Sequence, residues 1–134
     1  MLSRPKAHGG LRHLALFVAN FDETLQFYTD LLGMVVEWQP DPDNIYLCSG
    51  CDNLALHRYL GGERPVAGQR LDHLGFIMDD IDDVDAWHAF LQENGVSIKA
   101  APRTHRDGAR SFYCLDPDGN LVQMIYHPPI AGKC

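Results

Sequence analysis

Leu71–Val84, LDHLGFIMDDIDDV, decides the reading of this 134-residue chain, because Leu11–Thr24, LRHLALFVANFDET, states the same pattern earlier on. Superposed, Leu11 matches Leu71, His13 matches His73, Leu14 matches Leu74 and Asp22 matches Asp82. A unit repeated at fixed spacing marks a duplicated architecture. Within the first copy, His13, Ala15 and Phe17 alternate with Leu14, Leu16 and Val18, the period of a strand. Asp22 and Asp82 stand where helix N-caps belong, each with more acid close behind. The helices predicted from them, TLQFYTDLLG and DVDAWHAFLQENG, stop at Gly33 and Gly95.

Short extended pieces bounded by turn residues follow each helix. They are MVVEW, NIYLC and NLALHRY in the first copy, and VSIKA, RSFYCL and NLVQMIY in the second, where DPDG joins the last two. Each copy therefore reads as βαβββ, and LGGERPVAGQ, Leu60–Gln69, reads as the linker between copies. A single domain over 1–134 is expected, with modules at about residues 10–60 and 70–127.

A helix covers only one side of such a sheet. Leu14, Leu16, Leu54, Leu56, Leu74, Phe76, Val122 and Met124 share the helix-facing parity and should form the core. His13, Ala55, His57, His73, Leu121, Gln123 and Ile125 take the opposite parity, so metal-capable groups collect where no helix lies. Two such sheets related by pseudo-twofold symmetry would face one cleft. A divalent metal is the commonest reason to aim imidazoles from separate strands at one point, with an oxygen or nitrogen donor from the last strand of a unit, Gln123 or His57, completing the set.

Composition narrows the function classes. Hydrophobic residues are 46% and charged residues 22%, ordinary globular usage, and no apolar run approaches the roughly 20 residues of a membrane span. No membrane partner and no export signal are read, and a cytoplasmic location is expected. The formal charge of −7, with 11 scattered Lys and Arg, disfavours nucleic acid. Of Cys48, Cys51, Cys114 and Cys134, only CSGC has metal-ligand spacing and it lacks a second pair, so all four are expected as reduced thiols.

From LRHLALFVANFDETLQFYTDLLGM through LDHLGFIMDDIDD to FYCLDPDGNLVQMI, the chain resembles the vicinal oxygen chelate superfamily of glyoxalases, bleomycin resistance proteins, fosfomycin-resistance transferases and extradiol dioxygenases. The resemblance implies an α+β fold of two tandem βαβββ modules, the glyoxalase/bleomycin resistance/dihydroxybiphenyl dioxygenase fold. Its curved mixed sheets would form a metal cleft, often completed by a homodimer. Carried over residue by residue, the family's metal ligands fall on His13, His73 and Gln123. Most members have Glu at the last position, so this amide should bind metal more weakly. Where glyoxalases carry a further carboxylate, the chain offers Ala55 or His57.

The extradiol dioxygenases look nearest, through SFYCLDPDGNLVQ. The resemblance implies Fe(II), a small catechol-like substrate, Tyr113 as hydrogen-bond donor to it and His57 as acid/base, with His105 near a further active-site His of that group. Two rivals stand beside it. A glyoxalase-type lyase or isomerase would use Zn or Ni with His57 as fourth ligand. A metal-free binding protein of the antibiotic-resistance kind would use Trp38, Trp87, Phe17 and Tyr59 as aromatic walls.

Overall fold

In the computed structural model, which describes residues 11–62 and 71–134, the repeat folds into two four-stranded mixed sheets. The first unit runs β1 (His13–Val18), helix α1 (Phe21–Gln26) continuing into a wide π turn (Phe27–Leu31), β2 (Val35–Asp41), β3 (Asn44–Cys48) and β4 (Asn53–Arg58). The second runs β5 (Leu74–Ile77), α2 (Ile81–Glu93), β6 (Ile98–Thr104), β7 (Arg110–Leu115) and β8 (Leu121–Tyr126). The strand orders, β1-β4-β3-β2 and β5-β8-β7-β6, are the same order written twice. In each, the first and last strands pair in parallel and the rest antiparallel. The expected α+β architecture of paired βαβββ units is what forms. Most of the expected linker, residues 63–69, lies outside the described residues.

The parity read from the sequence sets the core. Leu16, Ile45, Leu47, Leu54 and Leu56 of the first sheet are buried, as are Phe112, Cys114, Val122 and Met124 of the second, in one cluster spanning both units. Full burial of such a side chain is worth about 1.5–3 kcal/mol. Leu14, Leu74 and Phe76 pack against the cluster while still partly exposed.

Both helices begin earlier than expected. The first N-cap is Asn20, not Asp22, and the second is Asp80, not Asp82. Burial decides the first shift: starting at Phe21 puts Phe21, Thr24, Phe27 and Tyr28 on the inner side and turns Asp22 outward, 3.8 Å from Arg58. At the second, the Asp80 backbone N–H donates to the Asp83 carboxylate at 3.2 Å, which closes the helix end from Asp80 onward. The π turn departs from the expected plain helix as well. Its wider bond, Leu32 N–H to Phe27 C=O at 3.0 Å, accommodates an extra residue before Gly33, whose φ of +77° ends the helix.

That turn fastens one unit to the other. Tyr28, fully buried, donates its hydroxyl to Asp116 Oδ2 at 2.8 Å, in the turn between β7 and β8. Asp116 also accepts from the backbone N–H of Asp118 and Asn120. Asp118 in turn accepts from the N–H of Ala19 and Asn20 at 2.7 and 2.8 Å, so DPDG clasps the end of β1.

One cysteine expectation is corrected. Cys51 and Cys134 form a disulfide, their Cα atoms 6.2 Å apart, while Cys48 and Cys114 are free thiols. The pairing joins residues 83 apart in sequence, so spacing alone could not reveal it. No helix among the described residues is long and apolar enough to cross a membrane.

Candidate metal centre

Strand register places the predicted residues. His13 lies opposite Asn53, Ala15 opposite Ala55 and Phe17 opposite His57. In the second sheet Gly75 lies opposite Gln123, which also pairs with Tyr113. Paired residues share a face, so both sets lie on the sides away from the helices. His13 and His73, with Asn53 and Gly75, line one crevice of about 390 Å³ where the β1 and β5 edges approach. Gln123 is a strand away, on β8. A larger cavity of about 590 Å³, between Phe27 and Leu115, contains none of the predicted site residues.

Each histidine is held by Nδ1. His13 Nδ1 lies 2.6 Å from Asn53 Oδ1, and the Asn53 amide donates to Glu37. His73 Nδ1 lies 2.5 Å from Asp72 Oδ1. A carbonyl or carboxylate oxygen only accepts, so Nδ1 is the donor in both rings, and it is Nε2 that a neutral imidazole would offer to a metal. Gln123 donates its amide to Ser111 Oγ at 3.1 Å, which leaves Oε1 without a protein donor among the described contacts. Between His73 and Ile77 on this face stands Gly75, where an added Cβ would come within 3.3 Å of the Gln123 carbonyl oxygen and 3.7 Å of its Cβ. The absent side chain keeps the space beside Gln123 open. Two imidazole nitrogens and one amide oxygen are donor types that a divalent cation takes, and Gly75 joins the crevice of the two histidines to the strand that carries Gln123.

Other predicted residues are less close together. Tyr113 stands beside His73, ring centroids 5.5 Å apart and the planes perpendicular. His57 is four residues along the sheet from the His13 row, about 13 Å at strand rise. The first-sheet counterpart of Gln123 is Ala55: each faces the residue two beyond the first-strand histidine. Of the two alternatives the sequence left open, register thus selects Ala55, which has nothing to ligate with, and His57 is too distant for a fourth ligand beside His13.

His57 heads a separate cluster. Its Nδ1 lies 2.6 Å from Asn44 Oδ1, and Asn44 donates to both carboxylate oxygens of Asp41 at 2.9 and 3.0 Å. These bonds and the Asp43 N–H hold the Asp41 carboxyl below the usual carboxylate range. Phe17 and Tyr46 flank the His57 ring, and Trp38 stacks on Tyr46 at 5.1 Å. Asn44, Asn53 and Ser111 escaped the sequence reading. Their faces were legible from strand parity; their partners were not.

Among the described residues no three His, Cys, Asp or Glu side chains gather to hold an ion; a set whose third donor is Gln lies outside that chemistry. Trp87 packs against the core and lines a separate cavity with Cys51, Cys134 and Met124. Trp38 and Phe17 are 57% and 55% exposed on the helix-free side.

Comparison with known proteins covers most of the chain. Residues 10–124 match the sequence model of the Glyoxalase/Bleomycin resistance protein/Dioxygenase superfamily. A metallothiol transferase FosB of Staphylococcus epidermidis is 30% identical over 118 residues, 86% of this chain and 81% of the transferase. A FosB of Staphylococcus haemolyticus is 28% identical over 116 residues, with shares of 86% and 81%. Among solved structures, the lactoylglutathione lyase of Agrobacterium tumefaciens superposes with a TM-score of 0.73 at 21% identity, covering 90% of this chain and 96% of the lyase. An integron cassette protein from the mobile metagenome of V. cholerae superposes with a TM-score of 0.68 at 30% identity, covering 94% and 99%.

Proposed function

The chain belongs to the Glyoxalase/Bleomycin resistance protein/Dioxygenase superfamily, and from that premise we propose that it is a metal-dependent enzyme joining a thiol to a small electrophile, in the manner of the metallothiol transferases it resembles. His13, His73 and Gln123 hold the cation, and a homodimer is the functional unit, because aromatic side chains on the helix-free face stand open in one chain. The observation that carries this reading is Ala55 at the position matching Gln123. Proton transfer between substrate carbons, as in an isomerase, needs a base at the reacting centre. The carboxylates beside the histidines are engaged, Asp72 with His73 and Glu37 through Asn53. Addition of a thiol needs donors that leave coordination open, which a set of three does.

A divalent cation, when bound, supplies Lewis acidity that draws charge from the electrophile. Tyr113 donates its hydroxyl to substrate beside His73. Phe17, Trp38 and Tyr46 cover the apolar part of the substrate, and Nε2 of His57, kept free by Asn44, accepts a hydrogen bond from its far end.

The second reading, a ring-opening dioxygenase acting on a catechol with Fe(II), is favoured by Tyr113 standing against His73 and next to Gln123. Metal analysis of gently purified protein, followed by paired assays, separates the two. Thiol consumption with a small epoxide on Mn or Zn protein supports the transferase; ring-fission products from catechols on Fe(II) protein, without thiol transfer, refute it. Retention of bound metal by both His13→Ala and His73→Ala would refute either.

A further inference from the structure

Gln123 differs from a carboxylate in one respect that matters for a cation: its two ends are chemically unlike. Turned one way it offers a carbonyl oxygen; rotated by half a turn it offers an NH2 group with no lone pair to give. Something must choose between these orientations.

The neighbour that faces Gln123 is Ser111, diagonal to it on β7 and only 2% exposed, so the hydroxyl settles its bonds within the protein. A serine hydroxyl has one proton to donate and lone pairs to accept with. Ser111 Oγ lies 3.1 Å from Gln123 Nε2 and 3.4 Å from His105 Nε2, on the loop between β6 and β7. When the unprotonated Nε2 of His105 accepts a hydrogen bond from the serine O–H, Ser111 is left as an acceptor toward Gln123. The amide must then turn its NH2 to the serine and its oxygen to the open space over Gly75. Without an acceptor at 105, the serine proton is free to go to Gln123 Oε1, and the amide presents its NH2 instead. A glutamate, with two equal oxygens, would not need the relay.

We propose that His105, acting through Ser111, sets the orientation of the Gln123 amide and thereby its capacity to serve as an oxygen donor to a divalent cation. Both are positioning residues, and the inference rests on the reading of Gln123 as a cation donor. The 3.4 Å separation marks the His105 contact as a weak bias, not a lock. Apparent affinity scales with the fraction of protein in the competent orientation, so a fall of that fraction to about a third weakens binding roughly threefold.

The test is Mn2+ binding by calorimetry to chelator-stripped full-length protein, with thermal melting to confirm folding. Gln123→Ala should weaken Mn2+ binding about tenfold or more. His105→Leu, a loop substitution, should weaken it roughly threefold in the native background and leave Gln123→Glu protein unchanged. In Ser111→Ala protein, His105→Leu should have no further effect. An equal effect of His105→Leu in the native and Gln123→Glu backgrounds, or none in the native background, overturns the relay while the cation reading stands. Unchanged binding by Gln123→Ala overturns that reading and the relay together.

Discussion

Replacing Tyr28 by Phe removes one hydroxyl from the joint between the two units and leaves the ring in place. The hydroxyl is buried and donates to the Asp116 carboxylate at 2.8 Å. A hydrogen bond to a charged acceptor is worth about 1.5–3 kcal/mol. Two things keep the loss from reaching the 3–5 kcal/mol, roughly, of a broken buried ion pair. Phe fills the same volume, so no cavity opens, and Asp116 retains the N–H of Asp118 and Asn120 and the Asn120 side-chain amide. The expected cost is therefore about 2 kcal/mol, or roughly 6–8 °C in Tm for a chain of this size. Urea unfolding followed by circular dichroism, with an unchanged m-value, measures it. A loss under about 0.5 kcal/mol, or the same loss in an Asp116→Asn background, would refute the reasoning. The bond also predicts alkaline behaviour. Burial first, then the Asp116 charge, raises the Tyr28 phenol well above its ordinary range. The folded state thus keeps a proton that the unfolded state releases near pH 10, so stability should fall as pH rises above about 10, and less steeply in Tyr28→Phe.

Three further outcomes are expected. Cys51→Ser should lower stability by roughly 2–4 kcal/mol under non-reducing conditions, and added reductant should lower the native protein by a like amount while leaving the variant unmoved. Burial and the nearby Asp116 push the Cys114 thiol up to about 12, so iodoacetamide at neutral pH should modify Cys48 in the folded protein and reach Cys114 only in denaturant, as mass spectrometry of the digest will show. Arg110 holds both oxygens of Asp85, at 2.8 and 2.7 Å, and keeps that carboxyl below its ordinary range. A depressed carboxyl stabilises the fold above the unfolded pKa of about 3.9 and ceases to do so as pH falls through the folded value; carbon-13 titration should show the Asp85 midpoint returning upward in Arg110→Ala.

The duplicated pattern around His13 and His73 was enough to settle the strands, the faces and the family. Those are consequences of period: alternation assigns each side chain to a side of its sheet whatever lies further off, and a match sustained over most of the chain fixes which architecture uses it. Gln123 came from the same parity, whereas Tyr113 came from the family resemblance. What the sequence left open were matters of distance between residues far apart along the chain. Whether Ala55 or His57 corresponds to Gln123 depends on which residue of β4 pairs with Ala15, and only the formed sheet makes that pairing. The first helix start moved because Phe21 found a buried place that a capping preference does not register. Asn53, Asn44 and Ser111 are ordinary as letters. They acquire their parts by standing 2.6 Å from a histidine or 3.1 Å from an amide. The Cys51–Cys134 bond belongs to the same class, for a chain end meets a hairpin turn through the packing of everything between them. Local periodicity is a property of neighbours along the chain, whereas hydrogen-bond direction, tautomer and coordination are properties of neighbours in space.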